Sequence, residues 1–311
     1  MRLVFMGTPD FAVPSLRALH EAGYTIAAVV TAPDRKRGRG QQTSATPVKT
    51  AALELGYDVI EADDLHDPAF ADRLRACAAD LFVIVAFRIL PETVFTIPRL
   101  GSFNLHASLL PRYRGAAPIN WALMRGEEES GVTTFLLRPT VDTGGILLQE
   151  RVPLDDDMNA GELHDMLAEL GADVVLRTVQ GIERGDLVPR PQDDTLATSA
   201  PKIFRDTCRI PWEKSAREVH NHIRGLSPAP AAWSMLHGKE MKILETFVSE
   251  EESTGTPGSF ITLEPELCVQ CGRGSLVVCL VKPAGRKEMT AEEYLRGHRI
   301  GPTDLFTNPE G

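Results

Sequence analysis

Nearly unbroken apolar runs, set between stretches of helical periodicity, constrain this chain more than any other feature. Leu3 to Met6, Ile26 to Val30 and Leu81 to Val85 are such runs. A strand wet on one face alternates apolar with polar residues, whereas a continuous run needs cover on both faces, as parallel strands have. Between the runs, Phe11 to Ala22, Val48 to Leu55 and Phe70 to Ala76 space their apolar residues as helices do, and Tyr57 to Ile60 reads as a further short strand. This alternation predicts a doubly wound, Rossmann-like α/β domain. Leu163, Met166, Leu167, Leu170, Val174, Val175 and Val179 form a long helical stripe within Gly161 to Ile182 that would close it.

A chain of 311 residues has room for two cores. The expected division is a first domain over 1–185, a linker over 186–207 marked by Pro189, Pro191 and Pro201, and a second domain over 208–311. The second domain shows one helix, Ser215 to Arg224. Short strand-like runs follow at Met241 to Leu244, Ser259 to Leu263, Leu267 to Cys271 and Leu276 to Val281. That pattern suggests a small β-barrel of the OB-like kind.

No apolar run approaches the roughly 18 residues of a membrane span, and the apolar core after Met1 is too short for a secretory leader. A cytoplasmic protein without a membrane partner is expected. Its five cysteines, Cys77, Cys208, Cys268, Cys271 and Cys279, are an odd, scattered set that argues against a disulfide framework. Cys268 and Cys271 have CxxC spacing, but no second ligand pair accompanies them, so a metal site is not expected. The net charge of −10 argues against nucleic-acid binding over the whole surface. Its distribution is uneven, however: Pro33 to Lys49 carries Arg35, Lys36, Arg37, Arg39 and Lys49 against Asp34 alone.

Gly7 to Phe11 stands where a dinucleotide fold carries its glycine-rich turn, but it keeps one glycine, so a nicotinamide cofactor is poorly supported. The stretch Gly101 to Gly115 is more informative. Asn104 and His106 alternate on a strand and so share a face, near the C-terminal end where open α/β sheets bind ligands. Ser108-Leu109-Leu110-Pro111 and an Arg-Tyr-Arg-Gly turn follow. Farther on, Asp142-Thr143-Gly144 lies between the runs Val132 to Leu137 and Ile146 to Leu148. An Asp before Thr-Gly is often a turn residue only. With Asn104 and His106 it completes a trio able to handle protons.

These residues, with Tyr113-Arg114-Gly115 and Pro118, resemble the folate-dependent formyltransferases. Gly7 to Ala12, Pro33-Asp34-Arg35, Gly38-Arg39-Gly40, Pro47-Val48-Lys49, Ala197 to Ile203 and Ile210-Pro211-Trp212 resemble the members that act on a charged tRNA. The likeness runs from about residue 1 to about residue 300. It implies a formyltransferase domain followed by a tRNA-binding domain, with 10-formyltetrahydrofolate as co-substrate, initiator methionyl-tRNA as acceptor and a role in translation initiation. It implies Asn104, His106 and Asp142 as the catalytic set. It also implies a folate pocket of Phe87, Ile89, Leu90, Ser108, Leu109, Leu110 and Pro111. Arg35, Lys36, Arg37 and Arg39, with Lys202 and Arg205, would contact tRNA. The chain departs from many members at Phe87-Arg88, where Tyr-Gly is frequent, and at Gly145, where a second acid often stands. A monomer is expected.

Formyl transfer needs a stabilised oxyanion, a proton taken from the attacking amine and a proton given to the leaving nitrogen. Asn104 suits the first task. His106 can add a donor when charged, with Asp142 either holding that charge or relaying the amine proton through water. No metal is needed for these steps. Two other readings remain open here. One is a formyltransferase for a small amine, such as glycinamide ribonucleotide or an amino-sugar nucleotide. The other is a tRNA-binding module without chemistry, against which the retained trio argues.

Overall fold

A computed structural model describes residues 1–37, 42–249, 254–262, 266–298, 300–301 and 303–308. In chain order the elements are β1 (Arg2–Gly7), α1 (Val13–Glu21), β2 (Thr25–Thr31), β3 (Arg35–Arg37), β4 (Gln42–Ser44), α2 (Pro47–Glu54), β5 (Val59–Glu61), α3 (Pro68–Ala76), β6 (Leu81–Val85), α4 (Glu92–Phe95), β7 (Ser102–His106), β8 (Arg114–Gly115), α5 (Pro118–Met124), β9 (Glu129–Leu136), β10 (Ile146–Pro153) and α6 (Ala160–Arg184). They continue with β11 (Ser199–Ala200), α7 (Ala216–Arg224), β12 (Ala232–Leu236), β13 (Lys239–Val248), β14 (Phe260–Thr262), β15 (Leu267–Gln270), β16 (Ser275–Pro283), β17 (Met289–Thr290) and α8 (Ala291–Gly297). The chain divides into two compact units. The first comprises Met1–Gly115, Ser130–Val152 and His164–Ser199; the second comprises Ala116–Glu129, Pro153–Leu163 and Ala200–Gly311.

The first unit is built on a seven-stranded sheet in the order β10-β9-β7-β6-β1-β2-β5. β5, β2, β1, β6 and β7 run parallel, as the continuous apolar runs require, and β9 pairs antiparallel with β7. Leu3, Val4, Phe5 and Met6 are fully buried. On one sheet face Val4, Met6, Phe82 and Ile84 pack with Phe70 and Leu74 of α3 and with Val94 and Phe95 of α4. In register, Ile84 faces Asn104 and Gly7 faces Val85, so β1, β6 and β7 end along one edge. Residues 186–199, expected to be linker, belong to the first unit, where Arg190 and Ile146 exchange backbone hydrogen bonds of 2.8 and 2.7 Å.

In the second unit β12-β13-β16-β15-β14 form an antiparallel sheet, with β17 added beside β16. Its two edges are bridged by the C-terminal segment: Leu305 pairs with Ser259 beside β14, and Thr307 pairs with Met235 of β12. The expected barrel is thus a half-barrel completed by a short segment rather than by a full strand. Helix α7 opens with a capping box in which the Ser215 side chain accepts from the Glu218 amide and the Glu218 carboxylate from the Ser215 amide. Its Val219 and Ile223 enter the core beside Trp212, whose ring stacks on Phe306 at 5.3 Å.

Candidate active site

Asn104 and His106 leave the same face of β7 near its C-terminal end. Asn104 is half-buried, and among the described residues nothing hydrogen-bonds its amide. His106 is 6% exposed, with Nε2 2.8 Å from the Tyr113 carbonyl oxygen. A carbonyl only accepts, so Nε2 carries the hydrogen and donates it, leaving Nδ1 as the ring nitrogen available for chemistry. Tyr113 reaches this position with φ +62°, in the left-handed region.

The Ser-Leu-Leu-Pro segment is held from beneath by Thr133, the register partner of His106 on β9. The Thr133 hydroxyl donates to the Ser108 carbonyl at 2.6 Å and accepts from the Leu110 amide at 3.2 Å and from Gln149 Nε2 at 2.9 Å. Ser108 Oγ in turn donates to the Arg112 carbonyl at 2.7 Å. Sequence reasoning missed Thr133 and Gln149, because only the sheet order β10-β9-β7 brings Thr133 of β9 and Gln149 of β10 under the segment.

Asp142 lies in the loop between β9 and β10 with φ +56°. Its Oδ2 accepts from the Gly115 amide at 2.9 Å. Among the described residues no hydrogen bond or ion pair joins Asp142 to His106 directly. Instead the two hold opposite ends of one turn, His106 at the Tyr113 carbonyl and Asp142 at the Gly115 amide. The loop is tight: a Cβ on Gly145 would stand 2.8 Å from Cβ of Pro189, so an acid at 145 would displace that proline.

The Ala86 to Leu90 loop leaves β6 along the edge shared with Asn104, and Ala86 has φ +46°. Leu90 is buried in the core with Val94 and Phe95, while Ile89 is 72% exposed and Phe87 half-buried. Leu110 packs against Phe135 and Ile146; Leu109 and Pro111 are half-buried. The Arg88 guanidinium donates to the Ala62 and Asp63 carbonyls and lies 5.6 Å from the Phe87 ring centre. Backbone carbonyls thereby solvate a charge that would be costly to leave alone.

Of the basic stretch, Arg35–Arg37 form β3, paired antiparallel with β4. Arg39 lies outside the described residues. Lys49 is withdrawn from the cationic set, since its Nζ pairs with Glu61 at 2.6 Å and with Asp34 at 2.9 Å, and these hydrogen bonds hold its pKa above the ordinary range. In the second unit Lys202 and Arg205 are exposed. Lys202 lies over the Phe204 ring, while Arg205 pairs with Glu240 and covers the face of Trp233 at 4.8 Å. Cys268 and Cys271 are buried free thiols, and burial pushes the Cys271 thiol up to about 12. Among the described residues no group of His, Cys, Asp and Glu is arranged to hold a metal.

Residues 1–179 match the formyl transferase family model, and residues 202–299 match the model described as formyl transferase, C-terminal domain. The methionyl-tRNA formyltransferase of Chlorobium luteolum is 48% identical over 98% of this chain and 99% of its own length. Among solved structures, the sugar 3N-formyl transferase WlaRD superposes with a TM-score of 0.69 at 18% identity, covering 92% of this chain and 99% of WlaRD. HypX from Aquifex aeolicus superposes with a TM-score of 0.66 at 20% identity over 95% of this chain, which spans about half the length of HypX (48%). At such identities the two structures speak for the fold alone.

Proposed function

The chain belongs to the formyl transferase family, among the methionyl-tRNA formyltransferases, and on that premise we propose that it transfers the formyl group of 10-formyltetrahydrofolate to the free amino group of initiator methionyl-tRNA. The observation that carries the mechanism is the shared turn, with His106 bound to its Tyr113 carbonyl and Asp142 to its Gly115 amide, beside the unpaired amide of Asn104.

In the proposed reaction the amine nitrogen attacks the formyl carbon and a C–N bond forms. The carbonyl electrons move onto oxygen, where the Asn104 N–H donates to the oxyanion. When charged, His106 adds a second donor through Nδ1 while its Nε2–H stays bound to Tyr113. With Oδ2 occupied by Gly115, the other Asp142 oxygen takes the amine proton, directly or through one water. The intermediate then collapses: the bond to N10 of the folate breaks and N10 takes up the proton that Asp142 received, directly or through the same water. Asn104 and His106 thus stabilise charge, and Asp142 moves the proton.

The folate lies against Phe87, Ile89 and Leu109, a half-exposed apolar surface beside polar backbone groups that suits a flat pterin. Leu90, Leu110 and Ser108 hold that surface from within, and Pro111 borders it. Arg35, Lys36 and Arg37 of β3, together with Arg39, Lys202 and Arg205, contact the phosphates of the tRNA. The enzyme works as a monomer in the cytoplasm, where its acceptor is; no described helix is long and apolar enough to cross a membrane.

Incubation with 10-formyltetrahydrofolate and either methionyl-tRNA or glycinamide ribonucleotide tests this reading. Formylation of the tRNA alone is expected, and formylation of the ribonucleotide alone would overturn it. Replacing Lys36, Arg37 and Arg39 by Ala should then lower kcat/KM for the tRNA and flatten its salt dependence, with folate binding unchanged.

A further inference from the structure

Gln192 lies in the Pro-rich stretch that reads as a connector in the sequence, and the mechanism above makes no use of it. Its side-chain amide makes four hydrogen bonds. Nε2 donates to the Asp142 and Gly144 carbonyls, each at 2.8 Å, and Oε1 accepts from Arg114 Nε at 3.1 Å and Nη2 at 2.7 Å. A guanidinium only donates and a carbonyl only accepts, so the chemistry of the neighbours fixes which way this amide points. Both of its donors are spent on carbonyls flanking Thr143 in the loop that carries Asp142.

That loop needs such a hold. Asp142 sits at φ +56°, a backbone state that non-glycine residues keep only where the surroundings enforce it. The backbone on either side of the amide is anchored as well, through the paired Arg190 and Ile146 on one side and the Arg114–Asp194 ion pair of 2.6 Å on the other. We infer that Gln192 is a positioning residue: it clamps the Asp142–Gly144 backbone so that the Asp142 carboxylate stays on the Gly115 amide, aimed at the attacking amine. Arg114 orients Gln192 for this task. The inference rests on the proposed role of Asp142 in proton transfer.

The experiment uses the full chain with Gln192→Met, which keeps the length and removes both donors, and Gln192→Glu, which keeps the acceptor for Arg114 but faces two carbonyls with a carboxylate. Each variant is made alone and with Asp142→Asn, and kcat and KM for both substrates are measured below the onset of unfolding. A misplaced proton acceptor should lower kcat by about 10- to 100-fold with KM values little changed, and should cause little further loss once Asp142 is Asn. Wild-type kcat in both variants, a loss carried by KM, or the same factor of loss in the Asp142→Asn background would overturn the inference. Wild-type kcat in Asp142→Asn alone would instead show that the role given to Asp142 has failed. Amide hydrogen exchange at Asp142 to Gly144 then reads the clamp separately: faster exchange in Gln192→Met keeps it, and unchanged exchange removes it.

Discussion

Gly144 lies so close to Leu136 that a Cβ added to it would stand 1.5 Å from the Leu136 carbonyl oxygen. The obstacle is backbone, so the loop carrying Asp142 must move to admit any side chain. Gly144→Ala should therefore cost about 1–3 kcal/mol in urea unfolding. Formylation should fall by more than that loss of folded protein explains, because the carboxylate shifts with the loop. A variant with normal kcat would show that Asp142 can move without harm.

The Asn104 side-chain amide makes no hydrogen bond among the described residues, and the residue is half-buried. Asn104→Ala should then separate stability from chemistry. Urea unfolding should be nearly unchanged while kcat falls by about 10²–10³-fold, the usual cost of one oxyanion donor. An equal loss in both measurements would make Asn104 a structural residue.

Ile89 and Leu90 are neighbours with opposite fates, one 72% exposed and the other 7%. Leu90→Ala should cost about 2–5 kcal/mol of stability, as buried leucines do. Ile89→Asp should leave the unfolding curve in place and raise KM for the formyl donor. Unchanged donor KM in the Ile89 variant would remove this loop from the folate pocket.

Burial pushes the His222 imidazole down to about 4 from 6.5; the nearby Lys214 adds to the shift, and hydrogen bonds to the Arg209 and Cys208 backbones oppose it. Its Nε2 is buried without a hydrogen-bond partner among the described residues. Between pH 6.5 and 4 the unfolded chain therefore binds the proton and the folded chain does not. This contribution to stability is complete above about pH 6.5 and is lost as pH falls towards 4. His220, lowered by burial in the same way, adds to the slope. His222→Gln should flatten the fall in melting temperature from pH 7 to pH 5; an unaltered slope would place its origin elsewhere.

The sequence by itself determined the parallel sheet and the strand that carries Asn104 and His106. Burial on both faces writes a continuous apolar run, and alternation along β7 puts the two side chains on one face; both signals are local. The turn chemistry of Asp-Thr-Gly also placed Asp142 in a loop between two apolar runs. Only the tertiary structure decided what holds these groups. Thr133 comes under Ser108 because β9 runs antiparallel to β7, and Gln192 reaches the Asp142 loop across fifty residues of chain. Lys49, which reads as one more cation, is neutralised by Asp34 and Glu61. Residues 116–129 and 153–163 lie amid the first domain's sequence yet fold with the second unit. A hydrogen bond or an ion pair between distant segments depends on where the chain returns, and it imposes no period on the residues around it, so it leaves no local trace to read.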